Sequence, residues 1–499
     1  MNRRDFLKAV SVGTVSLTVS GSCSAFKASP QKAISKRPNI LFCIADDQSW
    51  LHAGAYGDKV VQTPNFDRIA KEGVLFTHSF CSSPSCTPSR AAVLTGQEIW
   101  RLEQGAMLKG TLSRDKFKVY TSLLEEAGYH VGFTGKGWAP GSTRAGGWGD
   151  RNPAGKQYNS KTTVSPSNGI GKLDYAANFD SFLGCREDKQ PFCFWFGPKE
   201  PHRDYEKGSG LKSGKKLKDA SVPKSLPDVT EIRSDILDYY MEIEWYDKHL
   251  GQMLKILKDK GELDNTLIVA TSDNGMPFPR AKANLYDLGV RMPLAVRWAE
   301  NVRGGRVVDD FISHTDFAPT FLAAAGLQIP VEMTGRSFMD ILLSTKKGRV
   351  DSKRDFVCTA TERHSMCRPK GEGYPIRAIR DHRWLYIHNY EPDRWPAGDP
   401  ENFGDCDNGP TKAYMVEHKN VPEVMPLFQK AFAKRPAEEL YDTENDPDQL
   451  NNLADKPAFA ETKKKIRQKL YQYQQKTKDP RAEGKSPWDG FDAVEEANE

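Results

Sequence analysis

Residues 39–47 read Asn-Ile-Leu-Phe-Cys-Ile-Ala-Asp-Asp, a continuous apolar run that ends in two carboxylates. A run that is apolar at every position suits a strand buried on both faces, as in a parallel sheet covered by helices. Such sheets carry their sites at the carboxyl ends of their strands. The stretch therefore predicts a central strand of an α/β fold, with Asp46 and Asp47 at the edge that carries the site.

Helix-like and strand-like patterns alternate along the segments that follow. Apolar runs of strand length recur, and one long segment places its apolar side chains on a single helical stripe. This alternation predicts an α/β/α sandwich with a large, mostly parallel sheet. We expect helices over 65–73, 89–94, 120–127 and 234–260, and strands over 74–76, 129–134, 192–197 and 266–271.

The length of the chain, 499 residues, exceeds what one ordinary core supports and predicts a large domain with a smaller one. We expect a catalytic domain over 37–350. The pattern changes near residue 350, and a C-terminal α+β subdomain should cover 351–490. That subdomain should hold a small antiparallel sheet, with strands over 376–379 and 383–388 and a helix over 456–475.

Composition indicates a soluble, globular protein, with 38% hydrophobic and 27% charged residues. The 71 basic residues barely exceed the 66 acidic ones, so the net charge of +5 excludes a nucleic-acid partner as the main function. A local basic cluster in a cleft would still suit an anionic substrate. No apolar run is long enough to cross a bilayer, so we expect no membrane span.

The N-terminus resembles a twin-arginine export signal, because Asn2-Arg3-Arg4-Asp5-Phe6-Leu7-Lys8 precedes a short, weakly apolar region. We expect residues 1–28 to be read by the twin-arginine export machinery and removed. The mature protein should then be periplasmic or secreted. Lipid anchoring through Cys23 ranks second, because Ser20 stands where a lipobox usually has an aliphatic residue.

Nine cysteines are present, and none forms a Cys-x-x-Cys pair, so zinc and thioredoxin-like interpretations are weak. Cys358 and Cys367 could form a disulfide. The most informative cysteine is Cys86, in the run Cys-Thr-Pro-Ser-Arg over 86–90, which Ala-Ala-Val-Leu-Thr-Gly follows directly. Pro88 suits the first turn of a helix, and Ser85 or Thr87 can cap it.

Residue 86 therefore lies where the free N–H groups of a helix start favour an anion, and Arg90 adds a permanent positive charge. A buried structural cysteine is the plainer interpretation. The complete run, however, resembles the signature of type I sulfatases, Cys-x-Pro-Ser-Arg followed by Leu-Thr-Gly. The resemblance implies an alkaline-phosphatase-like fold and a sulfuric ester hydrolase. It also implies that a maturation enzyme oxidises Cys86 to formylglycine (3-oxoalanine), which serves as the nucleophile.

Two further pairs of residues, each at the end of a predicted strand, offer metal ligands: Asp46 with Asp47, and Asp273 with Asn274. Three carboxylates and an amide oxygen suit a hard cation such as calcium better than zinc. These positions match the metal ligands of the sulfatase family. The resemblance therefore implies one calcium ion, with residue 86 as a further ligand.

The family also binds sulfate with basic side chains and protonates the leaving group with a histidine. By this resemblance Lys136 and Lys282 bind the substrate, and the catalytic residue Arg90 should converge with them on the sulfate anion. His202 is the acid that protonates the leaving group. The family usually has Gly-Lys-x-His, but here Trp138 replaces that histidine. Trp138 either stacks on a sugar ring or belongs to the core.

A closer resemblance is to the heparan N-sulfatase (sulfamidase) branch, and it is carried by residues 273–279, 284–286, 374–377 and 388–389. By that resemblance His364 and Arg377 bind the substrate, and Lys282 replaces an arginine. The substrate class is then a sulfated polysaccharide or oligosaccharide. Because Trp138 departs from this branch as well, both N-sulfate and O-sulfate remain open, on a glycosaminoglycan or on an algal polymer such as ulvan or carrageenan.

Two alternatives remain. A phosphate mono- or diesterase would share the fold, but only one metal site is recognisable in the sequence. A sugar-binding pseudoenzyme with unmodified Cys86 would explain Trp138, but not the intact run over 86–90.

Overall fold

Thirteen strands and twelve α-helices make up the regular structure of residues 37–489 and 491, the part of the chain that this computed structural model describes. The predicted export signal, with Cys23, lies outside the described residues. The strands are β1 (Asn39–Ala45), β2 (Val74–Phe80), β3 (His130–Gly135), β4 (Lys156–Gln157), β5 (Phe192–Gly197), β6 (Thr266–Ser272), β7 (Arg291–Met292), β8 (Leu294–Arg297), β9 (Arg306–Ser313), β10 (Phe356–Thr361), β11 (Ile376–Asp381), β12 (Trp384–Asn389) and β13 (Glu438–Asp442). The helices are α1 (Pro64–Glu72), α2 (Cys86–Thr95), α3 (Tyr120–Glu126), α4 (Tyr175–Gly184), α5 (Ser209–Lys212), α6 (Thr230–Asp259), α7 (Asp287–Val290), α8 (Phe317–Ala324), α9 (Met339–Leu343), α10 (Pro410–Glu417), α11 (Met425–Phe432) and α12 (Ala460–Lys476).

Strand β1 lies inside a nine-stranded sheet, and all seven of its residues are buried, as its apolar sequence predicts. Strands β5 and β6 flank it in parallel, and β3 pairs in parallel with β5. The carboxyl ends of these four strands therefore meet at one edge. On the other side the sheet continues through β8, β2 and β7 with antiparallel pairs, while β9 pairs in parallel with β2. The prediction of a mostly parallel sheet is confirmed.

Helices cover both faces of the sheet. Because successive residues of a strand point to opposite sides, the side chains of β1 contact helices on each face. Leu41 and Cys43 of β1 belong to a buried cluster that includes Leu250 of α6. Phe42 points the other way, onto Phe317 and Phe321 of α8, with ring centroids 5.4 Å apart in both pairs. This arrangement is the α/β/α sandwich that the alternating pattern predicts.

The C-terminal part forms a separate four-stranded antiparallel sheet in the order β10-β11-β12-β13, as expected, with α12 packed on it. The domain boundary near residue 350 stays a prediction. The eight cysteines of the described residues are free thiols, so the disulfide considered between Cys358 and Cys367 is not formed. None of the described helices combines the length and the apolar character needed to traverse a bilayer.

Arg377 of β11 lies in the interior of the protein, contrary to the role predicted for it. Its side chain is 0% exposed, and the guanidinium pairs with Glu362 at 2.6 Å and with Asp479 at 2.7 Å. It also lies over the ring of Trp100. A guanidinium enclosed in this way reaches no substrate, so the predicted substrate-binding role is wrong. Arg377 joins β11 to the segment after α12.

This position leads to a prediction about stability. Arg377→Ala should lower the free energy of unfolding by about 3–5 kcal/mol, because Asp479 then stays buried without an opposing side-chain charge. Arg144→Ala is a matched control: Arg144 pairs with Asp150, both side chains are exposed, and the loss of the pair should cost less than about 1 kcal/mol. Denaturant titration measures both. A variant at 377 that unfolds like the wild type but loses saccharide turnover would contradict this account.

Candidate active site

Four side chains from three separate parts of the chain converge at the carboxyl edge of the parallel strands. Asp46 and Asp47 follow β1, Asp273 follows β6, and Cys86 begins α2. One potential ligand atom from each lies within 4.8 Å of the others, and all four residues are buried. The structure thus brings together the carboxylates and the cysteine that the sequence analysis singled out.

The backbone at Asp47 explains how two consecutive carboxylates share one site. Neighbouring residues of an extended strand point to opposite faces, but Asp47 has a φ of 74° and so leaves the extended conformation. Aspartate tolerates this left-handed region better than most residues. The turn is held by the Asp47 amide, which donates to Asp273 at 3.1 Å, and by Tyr239, whose hydroxyl donates to the Asp47 carbonyl at 3.2 Å.

Asn274 completes the set of oxygen donors. Its amide nitrogen donates to Asp47 at 2.6 Å and to the carbonyl of Gly275 at 3.1 Å. Its amide oxygen is buried and has no hydrogen-bond partner among the described residues. A buried acceptor without a donor costs free energy unless a ligand satisfies it. Three carboxylates beside such an oxygen fit a hard divalent cation such as calcium.

Each of the three carboxylates is matched by one cationic side chain. The ammonium group of Lys136 lies 2.6 Å from Asp46, and that of Lys282 lies 2.8 Å from Asp47. The Nε of Arg90 lies 2.7 Å from Asp273. The charges of the six side chains cancel. A divalent cation would therefore leave the cluster positive and attractive to a sulfate group.

The protonation states follow from burial and from these charges. Burial by itself raises the pKa of Asp46, but the charges of Lys136 and Arg90 outweigh it and hold that pKa well below its usual range. Burial raises the pKa of the Cys86 thiol, and the nearby Asp46 carboxylate raises it further. Without a metal ion beside it, an unmodified Cys86 would therefore keep its proton.

Helix α2 begins at Cys86, with Ser85 as the N-cap residue and Gly96 at the opposite end. The predicted side-chain cap is wrong, because neither candidate hydroxyl bonds to the helix. The Ser85 hydroxyl is 2.8 Å from Nδ1 of His364, and the Thr87 hydroxyl donates to the carbonyl of Pro140. These two contacts connect the start of the helix to the loops that carry His364 and Pro140. The Cys86 sulfur lies 3.3 Å from Asp46.

Arg90 is enclosed within the cluster. Besides its pair with Asp273, its NH1 group donates to the carbonyls of Lys136 at 2.8 Å and Gly137 at 3.0 Å. Its side chain is fully buried. Arg90 therefore fixes the segment that carries Lys136 and does not face the open cavity, so the expectation that it converges on the sulfate anion with the two lysines is wrong.

His202 follows β5, and its side chain is 35% exposed. Its Nδ1 lies 2.6 Å from the carbonyl of Arg203. A carbonyl only accepts hydrogen bonds, so Nδ1 carries the proton in the neutral ring and Nε2 is left to exchange a second one. Nε2 lies 3.8 Å from Asp47. This geometry suits an acid at the rim of the cluster.

A cavity of about 1750 Å³ opens at Asp46, Lys136 and His202. Trp138 lies in its wall but is only 1% exposed, and Asn152 bonds to both its backbone N–H and its carbonyl. Of the two roles considered for Trp138, the structure favours packing, since no open face of the indole is left for a sugar ring.

The C-terminal part supplies two more residues beside the cluster. His364, in the loop after β10, is buried against Ser85. Asp407 lies 3.1 Å from the ammonium group of Lys282. The sequence analysis missed Asp407, and no local pattern could have found it, because its segment has neither a motif nor a periodicity.

Comparisons with known proteins show which family has a sequence like this one. A family profile described as sulfatase matches residues 38–327, and one described as N-sulphoglucosamine sulphohydrolase, C-terminal, matches residues 280–407. An ulvan-active sulfatase of Formosa agariphila is 28% identical, with 88% of this chain and 80% of the relative covered. The human N-sulphoglucosamine sulphohydrolase is 27% identical, with 89% and 91% covered.

A solved structure of a protein in complex with its substrate D-glucosamine-2-N,6-O-disulfate superposes with a TM-score of 0.65 at 21% identity, covering 90% of this chain and all of the other. The match confirms the alkaline-phosphatase-like sandwich that the sequence predicts. The profile matched over 38–327 spans more than half of the chain. The chain therefore belongs to the sulfatase family of sulfuric ester hydrolases.

Proposed function

We propose that this chain is an exported, calcium-dependent sulfatase that removes sulfate, as O-sulfate or N-sulfate, from a sulfated saccharide. The observation that carries the proposal is the convergence of Cys86 with three buried carboxylates and their three cationic partners. The names of the relatives, which refer to ulvan and to N-sulphoglucosamine, support a saccharide substrate.

The nucleophile in this proposal is residue 86 after a maturation enzyme has oxidised it to formylglycine. One hydroxyl of the hydrated aldehyde attacks sulfur, and the bond from sulfur to the sugar oxygen or nitrogen breaks with its electron pair on the leaving atom. The position of Cys86 supports this role, because its sulfur lies 3.3 Å from Asp46, inside the cluster that would hold the calcium ion.

The metal ligands would be Asp46, Asp47, Asp273 and Asn274, with residue 86 as a further contact. A bound calcium ion supplies charge that stabilises the sulfate oxygens and the attacking hydroxyl. Lys136 and Lys282 would hold the non-bridging oxygens of the sulfate, and Arg90 would keep Asp273 and the Lys136 segment in place.

His202 would protonate the leaving atom from Nε2, which faces the cavity while Nδ1 stays bonded to the carbonyl of Arg203. His364 would contact the saccharide from the C-terminal side. Release of sulfate from residue 86 needs a base, and the buried indole of Trp138 cannot supply one. The lack of a base at position 138 is the one feature that favours a saccharide-binding pseudoenzyme.

Export to the periplasm or beyond agrees with a polymeric substrate that bacteria meet outside the cell. The twin-arginine-like segment over 1–28 supports it. A phosphoesterase is the weaker alternative, because the described residues contain one cluster of metal-ligating side chains, where the resemblance leads us to expect more in a phosphatase.

The function is tested first at residue 86. Cys86→Ala should abolish turnover of 4-methylumbelliferyl sulfate and of sulfated saccharides, because no other group replaces the nucleophile. Its unfolding free energy should change by less than about 2 kcal/mol. Cys81→Ala removes another buried thiol and should retain activity. Substantial turnover by Cys86→Ala would overturn the proposal, and faster turnover of the matching aryl phosphate would favour a phosphoesterase.

The metal site predicts one calcium ion per chain. Asp47→Asn should weaken calcium binding by more than about tenfold, because it removes one of the three ligand charges. Asp150→Asn, at an exposed carboxylate, should bind calcium as the wild type does. Calcium titration and elemental analysis of the purified proteins measure this. Unchanged affinity in Asp47→Asn, or two ions per wild-type chain, would be incompatible with the site as drawn.

His202 is tested through the leaving group. His202→Ala should reduce kcat/KM for a saccharide sulfate by about 100-fold or more, but for an activated aryl sulfate by much less, since a phenolate leaves without a proton. Equal losses on both substrates would show that His202 is not the acid.

A further inference from the structure

The segment that carries Asp407 is fixed on both sides of that residue. The buried ammonium group of Lys412 donates to the carbonyls of Phe403 at 3.0 Å and Cys406 at 2.8 Å, and to the side chain of Asn408 at 2.9 Å. A single cation thus binds two backbone carbonyls before Asp407 and the side chain of the residue after it. The carboxylate is presented by a rigid turn.

The same segment is tied to the loop of His364. Asp405 pairs with Arg368 at 2.6 Å and accepts a hydrogen bond from the backbone N–H of Ser365 at 2.7 Å. Ser365 directly follows His364, so the position of that histidine depends on this contact.

It is also tied to the loop of His202. The hydroxyl of Thr411 donates to Asp235 at 2.6 Å, and Asp235 pairs with Arg203 at 2.7 Å. The guanidinium of Arg203 packs against Gly409, where a Cβ atom would come within 2.6 Å of it. Residues 405–411 therefore join both histidine loops, with Asp407 between the two attachments.

The Asp407 carboxylate contacts Lys282, one of the two lysines proposed to bind sulfate. Its Oδ2 is buried 3.1 Å from Nζ of Lys282, which also contacts Asp47 at 2.8 Å, and the side chain as a whole keeps 24% exposure. Burial by itself raises the pKa of Asp407, but the charge of Lys282, with smaller effects from His202 and His364, outweighs burial and lowers that pKa. Asp407 is thus an anion placed among groups that are otherwise arranged to attract one.

A carboxylate at this place opposes a sulfate group electrostatically, so binding sulfate cannot be its role. A carboxylate can accept hydrogen bonds only, and it therefore suits a donor on the part of the substrate next to the sulfate. Sulfated sugars carry such donors, either the hydroxyl on the neighbouring carbon or the N–H of an N-sulfate.

We propose that Asp407 is a specificity-determining residue, which accepts a hydrogen bond from an O–H or N–H group adjacent to the sulfo group of the sugar. The inference rests on the proposed sulfatase function and assigns part of its saccharide recognition to the 405–411 segment. The alternative is that Asp407 only orients Lys282, in which case every sulfate ester would depend on it equally.

The experiment compares kcat/KM of wild type, Asp407→Asn and Asp407→Ala on 4-methylumbelliferyl sulfate and on the best substrate among sulfated glucosamines and ulvan or carrageenan oligosaccharides. The saccharide-to-aryl ratio should fall on the order of 10- to 100-fold, the usual effect of losing a hydrogen bond to a charged group. Asp393→Asn, an exposed carboxylate in the same part of the chain, should leave the ratio unchanged.

A saccharide whose neighbouring donor is removed, by O-methylation of an O–H or by N-methylation of the N–H of an N-sulfate, provides the second arm. With it, the wild type should lose as much as Asp407→Asn does on the parent sugar, and the variant should lose no more. An unchanged ratio, equal losses on both substrates, or additive losses in this arm would overturn the inference. Failure of the proposed function looks different, because wild type itself would then hydrolyse no sulfate ester in the panel.

Discussion

The structure depends on three carboxylates buried together at one edge of a parallel sheet. Burying three unpaired charges there would strongly destabilise the fold, since the desolvation of each ion costs several kcal/mol. Asp46, Asp47 and Asp273 are accommodated because each has its own cation and because the cluster has the donor set of a divalent metal ion.

The cations come from three distant segments, which the cluster therefore holds in place. Arg90 belongs to α2, Lys136 follows β3, and Lys282 follows β6. Through its bonds to the carbonyls of Lys136 and Gly137, Arg90 also shapes the floor of the cavity. Electrostatic matching at the strand ends thus positions the helix start that carries Cys86 and the lysines expected to hold sulfate.

Much of this was predictable where local pattern and position in the sheet coincide. The bounds of β1 and β5 are those expected, because a buried parallel strand is apolar throughout and ends abruptly. The grouping of the carboxylates followed from strand ends that share one edge. Strands β7 and β8, which pair antiparallel with β2, and β9, which pairs with it in parallel, were not expected. Strands β7 and β8 are only two and four residues long, and two aspartates interrupt the apolar pattern of β9.

The errors have a common physical cause, which is that a side chain's partner is set by the tertiary structure. Arg377 has the residue type of a sulfate ligand but meets Glu362 and Asp479 inside the sheet. Ser85 has the type of a helix cap but meets His364. Asp407 reaches Lys282 only because Lys412, Asp405 and Thr411 fix its segment, and no local pattern reveals those contacts.

The central claim is that the cluster surrounds a residue that is no longer cysteine in the working enzyme. Mass spectrometry of the peptide containing residue 86, from protein coproduced with a formylglycine-generating enzyme, tests it most directly. The account predicts the mass of an aldehyde in place of the CH₂–SH group, and a peptide that reacts with hydrazides. A preparation that hydrolyses sulfate esters while residue 86 remains a thiol throughout would contradict it.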